Sequence, residues 1–158
     1  MEKVERLESA LYDRGVDIVR QCYQGLKGYY RSYPDGYTFM AISPGLTLAE
    51  QTSVTYHEAG HYCTMQEPGQ ESRNESRADR WAAKKLVPVQ SLIDALMNGR
   101  RNLYDVAEHI GVSENFLYKT LDIYQKAHGD YLGHGEWTVW FRPLMVHNYM
   151  TDKVYPAE

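Results

Sequence analysis

His57-Glu58-Ala59-Gly60-His61 lies within a run, Thr47 to Thr64, that reads as one helix. Residues four apart sit one turn apart on the same helix face, so the imidazoles of His57 and His61 can reach a single Zn²⁺ at about 2.0–2.1 Å. Glu58 stands one step round, beside such a metal rather than on it. A general base belongs there if it is to take a proton from a water that the metal activates. Ordinary residue frequencies give an accidental His-Glu-x-x-His in about one chain in a few hundred of this size, so the motif is specific without being conclusive. The bland alternative is a solvated helix face that happens to carry two histidines and a glutamate.

A catalytic zinc usually has three protein ligands and one open position. Glu75 is the expected third ligand, because it is read as opening the next helix. Asp79 follows one turn later and is placed to accept the second ring N–H of a ligand histidine and fix its tautomer. Ser72-Arg73-Asn74-Glu75 is also a possible capping box, which would tie Glu75 to the helix start. Glu67 and Glu71 are rival carboxylates. Glu67 falls where the metzincin peptidases place their third histidine, but Thr64 stands where that class needs a glycine. Cys63, close to the motif, is a further thiolate candidate, although it and Cys22 are better read as small buried hydrophobes.

Upstream, Ser43-Pro44-Gly45 breaks the chain, and Thr47-Leu48-Ala49-Glu50 is a capping box that starts the motif helix. A first helix is expected over residues 3–13, ended by Arg14-Gly15. Val16 to Arg20, Leu26 to Ser32 and Tyr37 to Ile42 read as strands, the last two forming a hairpin about Tyr33-Pro34-Asp35-Gly36. Downstream, Gln66 to Asn74 reads as loop. A helix then ends near Leu86, before Val87-Pro88, and a shorter one spans Val89 to Met97. Two more lie between Asn102 and His128, broken at Gly111-Val112-Ser113. Gly135 to Phe141 reads as a possible strand, and the chain end as extended or disordered. The expected organisation is a catalytic core over 1–98, a helical segment over 99–128 and a C-terminal tail over 129–158.

The chain has 158 residues, 43% of them hydrophobic, which suits one compact unit. A formal net charge of −4 argues against general binding to nucleic acid or to a membrane surface. The charged start, Met1 to Glu8, lacks the apolar region of a secretory signal, and no apolar run approaches the ~20 residues of a membrane span. A cytoplasmic location is expected.

Leu103 to Leu117 has the pattern of a helix-turn-helix, with small Ala107, turn Gly111 and apolar Val112 and Leu117. Charge weakens a DNA-binding reading: Arg100, Arg101, Lys119 and Lys126 are matched by Asp105, Glu108, Glu114 and Asp122, and a reading helix starting Ser113-Glu114-Asn115 offers little to phosphates. A helical hairpin packed on the catalytic unit is the preferred reading. A regulator with a non-catalytic zinc site is the alternative; an intact Glu58 speaks against it.

The chain resembles the ImmA/IrrE family of bacterial and phage metallopeptidases. Three features carry the resemblance: His57 to His61, then Glu75-Ser76-Arg77-Ala78-Asp79-Arg80-Trp81-Ala82, then Leu86-Val87-Pro88, with Trp81 where the family usually has Phe. Leu26 to Tyr29 and Ile42 to Leu46 also match, so the likeness covers about residues 3–128. It implies an α+β fold with a zincin-like core, a small three-stranded sheet packed on helices and a helix-turn-helix-like segment after it. It also implies an endopeptidase acting on helix-turn-helix repressors or antitoxin-like regulators of mobile elements or stress responses. In the expected chemistry His57, His61 and Glu75 hold zinc and Glu58 moves the proton. The oxyanion donor stays open among fourteen tyrosines and His109, His128, His134 and His147.

Overall fold

The computed structural model describes residues 2–158. It is a mixed α+β chain that divides into two compact units, Met1–Ala82 and Ala83–Glu158. That division does not coincide with a boundary at 98/99; it falls inside a helix.

The first unit opens with α1 (Lys3–Tyr12), whose Glu2 and Glu5 form a reciprocal capping box. Three strands follow, β1 (Val16–Arg20), β2 (Gly28–Ser32) and β3 (Thr38–Ile42), in the spatial order β1-β3-β2. β3 pairs parallel to β1 and antiparallel to β2, the latter across a turn in which Tyr33 N–H donates to the Tyr37 carbonyl at 2.8 Å. This turn needs Gly36, whose φ is +92°. β2 is therefore an edge strand. Leu11, Val16, Met40, Ile42 and Ala59 form the buried core of the unit, with Trp81 packed against it.

α2 (Leu48–Cys63) starts at the expected capping box: the Thr47 hydroxyl accepts from Glu50 N–H at 3.2 Å, and the Glu50 carboxylate accepts from Thr47 N–H at 3.0 Å. α3 (Glu71–Leu86) begins four residues before Glu75, not at it. The stretch read as loop to Asn74 is thus helical from Glu71. Ser72-Arg73-Asn74-Glu75 lies inside the helix, where residue 75 already has an intrahelical register and no cap forms.

The second unit holds α4 (Val89–Met97), α5 (Leu103–Ile110) and α6 (Glu114–His128). α5 ends at Gly111 in the left-handed region, φ +87°, and α6 starts where the Ser113 hydroxyl accepts from Phe116 N–H at 3.2 Å. The stretch after residue 128, expected as a tail with at most one strand, is a four-stranded antiparallel meander: β4 (Tyr131–His134), β5 (Trp137–Phe141), β6 (Leu144–Asn148) and β7 (Lys153–Pro156). Burial alternates along its two central strands. Trp137, Val139 and Phe141 are buried on one face, as are Leu144, Val146 and Asn148 on the neighbouring strand, and Phe141 meets Tyr124 of α6 with ring centroids 5.7 Å apart. Among the described residues no helix is long and apolar enough to cross a membrane.

Candidate metal centre

α2 presents His57 and His61 on one face, and α3 presents Glu75 and Asp79 toward the same point. The two helices approach so closely that a Cβ built on Gly60 would lie 2.7 Å from the Ala78 carbonyl oxygen. Only a residue without a side chain permits that crossing, and the crossing is what brings the two pairs together.

The distances define a compact group. Glu75 Oε2 is 3.2 Å from His57 Nε2, Glu75 Oε1 is 3.0 Å from His61 Nε2, and the two Nε2 atoms are 3.2 Å apart. His57 Nδ1 faces Asp79 Oδ1 at 2.8 Å, and His61 Nδ1 faces Gln66 Oε1 at 3.2 Å. In the tautomer where each ring's Nδ1–H donates to those oxygens, both Nε2 atoms turn lone pairs toward each other and toward a carboxylate. Three acceptors converging without a donor repel. A cation resolves the conflict: four ligands at zinc–ligand distances of about 2.0–2.1 Å in a tetrahedron stand about 3.3 Å from one another, close to the spacing seen. Among the described residues this is the one group of three or more His, Cys, Asp or Glu side chains whose ligand atoms converge in this way.

Electrostatics follow from the same contacts. Burial opposes charge on His57, but hydrogen bonds to Asp79 and Glu75, with the nearby Glu58 and Asp79 charges, outweigh it and raise its pKa to about 9. A proton on His57 is how the group relieves its repulsion when no cation does. His61 moves the other way, lowered by burial and then by the His57 charge. The hydrogen bond from His57 lowers the Glu75 pKa. Glu58 is 7% exposed, and burial pushes its carboxyl up to about 7.

A pocket of ≈440 Å³ opens on this group, walled by Leu26, Gly28, Tyr29 and Tyr30 on the β2 side and by His57, Glu58, His61, Gln66 and Glu75 on the helical side. Tyr30 lies parallel to the His61 ring, with centroids 6.0 Å apart. Gly28 makes room for Glu58: a Cβ there would come within 2.6 Å of Glu58 Oε1 and 2.5 Å of Val54 Cγ1.

The rival ligands stand elsewhere. Glu67 pairs with Arg77 at 3.0 Å and Arg73 at 3.2 Å. Glu71 lines the pocket without joining the converging group, and Cys63 is exposed. Of the remaining histidines, His128 packs on Tyr124 and Phe141, His134 Nε2 meets Gln90 Oε1 at 3.1 Å, and His147 Nε2 meets Asp152 Oδ1 at 2.9 Å. Sequence reasoning passed over Gly28, Gly60 and Gln66. A glycine inside a strand signals close approach and was available for Gly28; no comparable signal marks Gln66.

A family model for the IrrE N-terminal-like domain of the M78 peptidases matches residues 12–122. No curated protein and no solved structure matches the chain. The match spans most of the chain, and the chain belongs to the ImmA/IrrE family, a family of metallopeptidases.

Proposed function

With membership of that family as the premise, we propose that the chain is a zinc-dependent endopeptidase with a zincin-like core, that His57, His61 and Glu75 are the metal ligands, and that Glu58 is the general base. The observation that carries this reading is the convergence of His57 Nε2, His61 Nε2 and the Glu75 carboxylate at 3.0–3.2 Å, with a side-chain oxygen facing the far nitrogen of each ring. Two imidazoles and one carboxylate are a usual donor set for catalytic zinc and leave a fourth position for water. Zinc, when bound, supplies Lewis acidity that acidifies water and polarises a carbonyl.

The residues of this chain do the rest. Asp79 and Gln66 hold the two rings in the tautomer that offers Nε2. Glu58 takes a proton from the attacking water on a carboxylate oxygen and returns it to the nitrogen of the departing amine. Burial, which disfavours its charged form, suits a group that must first accept and then donate a proton. β2 provides the peptide's track: it is an edge strand beside the pocket, and its free backbone groups can pair with an extended segment.

The proposed substrate is a helix-turn-helix repressor or an antitoxin-like regulator, as the family resemblance implies, and a cytoplasmic setting accords with such a target. The α5–α6 pair is read as a helix-turn-helix-like element that serves docking rather than DNA reading, since the Lys126 ammonium is paired with Asp122 at 2.7 Å and acidic Glu114 occupies the first turn of α6.

The test incubates zinc-loaded wild type and Glu58→Gln separately with the regulator encoded beside this chain. Wild type should cleave it; the variant should keep its zinc and cleave at least about 10²-fold more slowly. Equal cleavage by the two would remove Glu58 from the mechanism.

A further inference from the structure

We infer that Gln66 is a positioning residue for the metal centre, fixing His61 as Asp79 fixes His57 but without a charge. The inference rests on the metal-site reading above. His61 Nδ1 stands 3.2 Å from Gln66 Oε1, with the ring between that contact and the converging group. An imidazole that donates Nδ1–H to an oxygen presents its Nε2 lone pair, and such outer partners orient a ligand and raise its basicity.

Gln66 does not reach His61 by chance of a mobile loop. The segment between α2 and α3 is clamped from α3. The buried Asn74 side chain accepts from Glu67 N–H and donates to the Glu67 carbonyl, both at 3.0 Å. Arg77 reaches the Met65 carbonyl at 2.8 Å and the Glu67 carboxylate at 3.0 Å. Backbone groups on both sides of Gln66 are therefore held by one helix, the same helix that supplies Glu75 and Asp79. The clamp puts Gln66 in register with the centre.

The two histidines differ in their outer partners: the Asp79 carboxylate faces His57 Nδ1 at 2.8 Å, whereas the neutral amide of Gln66 faces His61 Nδ1 at 3.2 Å.

The experiment measures zinc affinity by competition with a chromophoric chelator for full-length wild type, Gln66→Ala and Gln66→Glu. Urea unfolding of the metal-free forms serves as the control. Gln66 is exposed, so its alanine variant should unfold at the wild-type midpoint. It should bind zinc about 10- to 100-fold more weakly. Gln66→Glu keeps an acceptor for Nδ1–H and should restore wild-type or tighter binding. Long-range ¹H–¹⁵N spectra should show the His61 proton leaving Nδ1 for part of the population in Gln66→Ala alone. Zinc affinity for Gln66→Ala within twofold of wild type would overturn the inference and leave the metal site standing. Failure of wild type itself to bind zinc would remove both.

Discussion

Replacing Gly60 by alanine separates the stability of the first unit from the geometry of its metal centre. The added Cβ would lie 2.7 Å from the Ala78 carbonyl oxygen and 2.9 Å from its Cα, where ordinary contact begins at 3.4 Å. Both atoms are backbone, so no rotamer change relieves the collision, and the helices must part there by about 0.7 Å. Overpacking of this kind costs roughly 1–3 kcal/mol, and the gain in helix propensity from Gly to Ala returns about 1 kcal/mol. The net loss of stability is thus at most about 2 kcal/mol, and the variant should fold. Ala78 lies directly before Asp79 and one turn after Glu75, so the displacement falls on the half of the centre that α3 carries. Metal sites tolerate about 0.2 Å in ligand distance. Zinc affinity should fall at least about tenfold, equivalent to about 1.4 kcal/mol, read by chelator competition beside urea unfolding of the metal-free protein. The double variant Gly60→Ala with Ala78→Gly should not recover, because glycine keeps the carbonyl and Cα that collide. Recovery in the double variant, or wild-type affinity in the single one, would refute a backbone-limited crossing.

Three further outcomes are expected. Because the His57 pKa is raised to about 9 in the metal-free protein, zinc must displace one proton below that pH. Log affinity should therefore rise by about one per pH unit between pH 7 and 9, and more steeply below 7, where Glu58 is also protonated; a flat profile measured by chelator competition would contradict these contacts. Gly28→Ala should bind zinc within about twofold of wild type, since β2 carries no ligand, yet slow cleavage about 10²-fold by displacing Glu58; steady-state rates on zinc-quantified protein decide it. In the second unit the Tyr124 hydroxyl donates to the Val87 carbonyl at 2.7 Å, and burial pushes its pKa up to about 12. Tyr124→Phe should cost about 1–2 kcal/mol in denaturant unfolding by orphaning a carbonyl just past the end of α3.

What the sequence made legible was local chemistry. The Thr47–Glu50 box, the four-residue spacing of His57 and His61 and the stop at Gly111 each depend on residues within one turn of each other, and each is found as read. The C-terminal sheet was harder because its pattern is mixed. Met145 points to the outer face of β6 while polar Asn148 is buried, its Oδ1 accepting from Met150 and Thr151 N–H in the turn that follows. Two polarity exceptions in five residues blur a period-two signal that Trp137 to Phe141 shows clearly. Gln66 was invisible for a different reason: its role depends on a clamp from Asn74 and Arg77 that exists only once α3 is folded against the segment.

The misplaced start of α3 leaves the relative placement of Glu75 and Asp79 unaltered, for a physical reason. A helix begun at Glu71 rather than Glu75 adds one turn and leaves the phase of every later residue unchanged, because phase is a property of spacing. Glu75 and Asp79 are four apart in either version and lie on one face. The error even removed an obstacle, since a helix already running at Ser72 cannot use Glu75 as a cap, and the carboxylate is left for the centre. A shift of one residue in the spacing itself would have turned Asp79 about 100° away from His57, and no adjustment of the helix start could restore the 2.8 Å contact. Inserting a single alanine between Glu75 and Asp79 should therefore abolish tight zinc binding, whereas an alanine inserted in the Pro68–Gln70 turn, ahead of α3, should be tolerated far better.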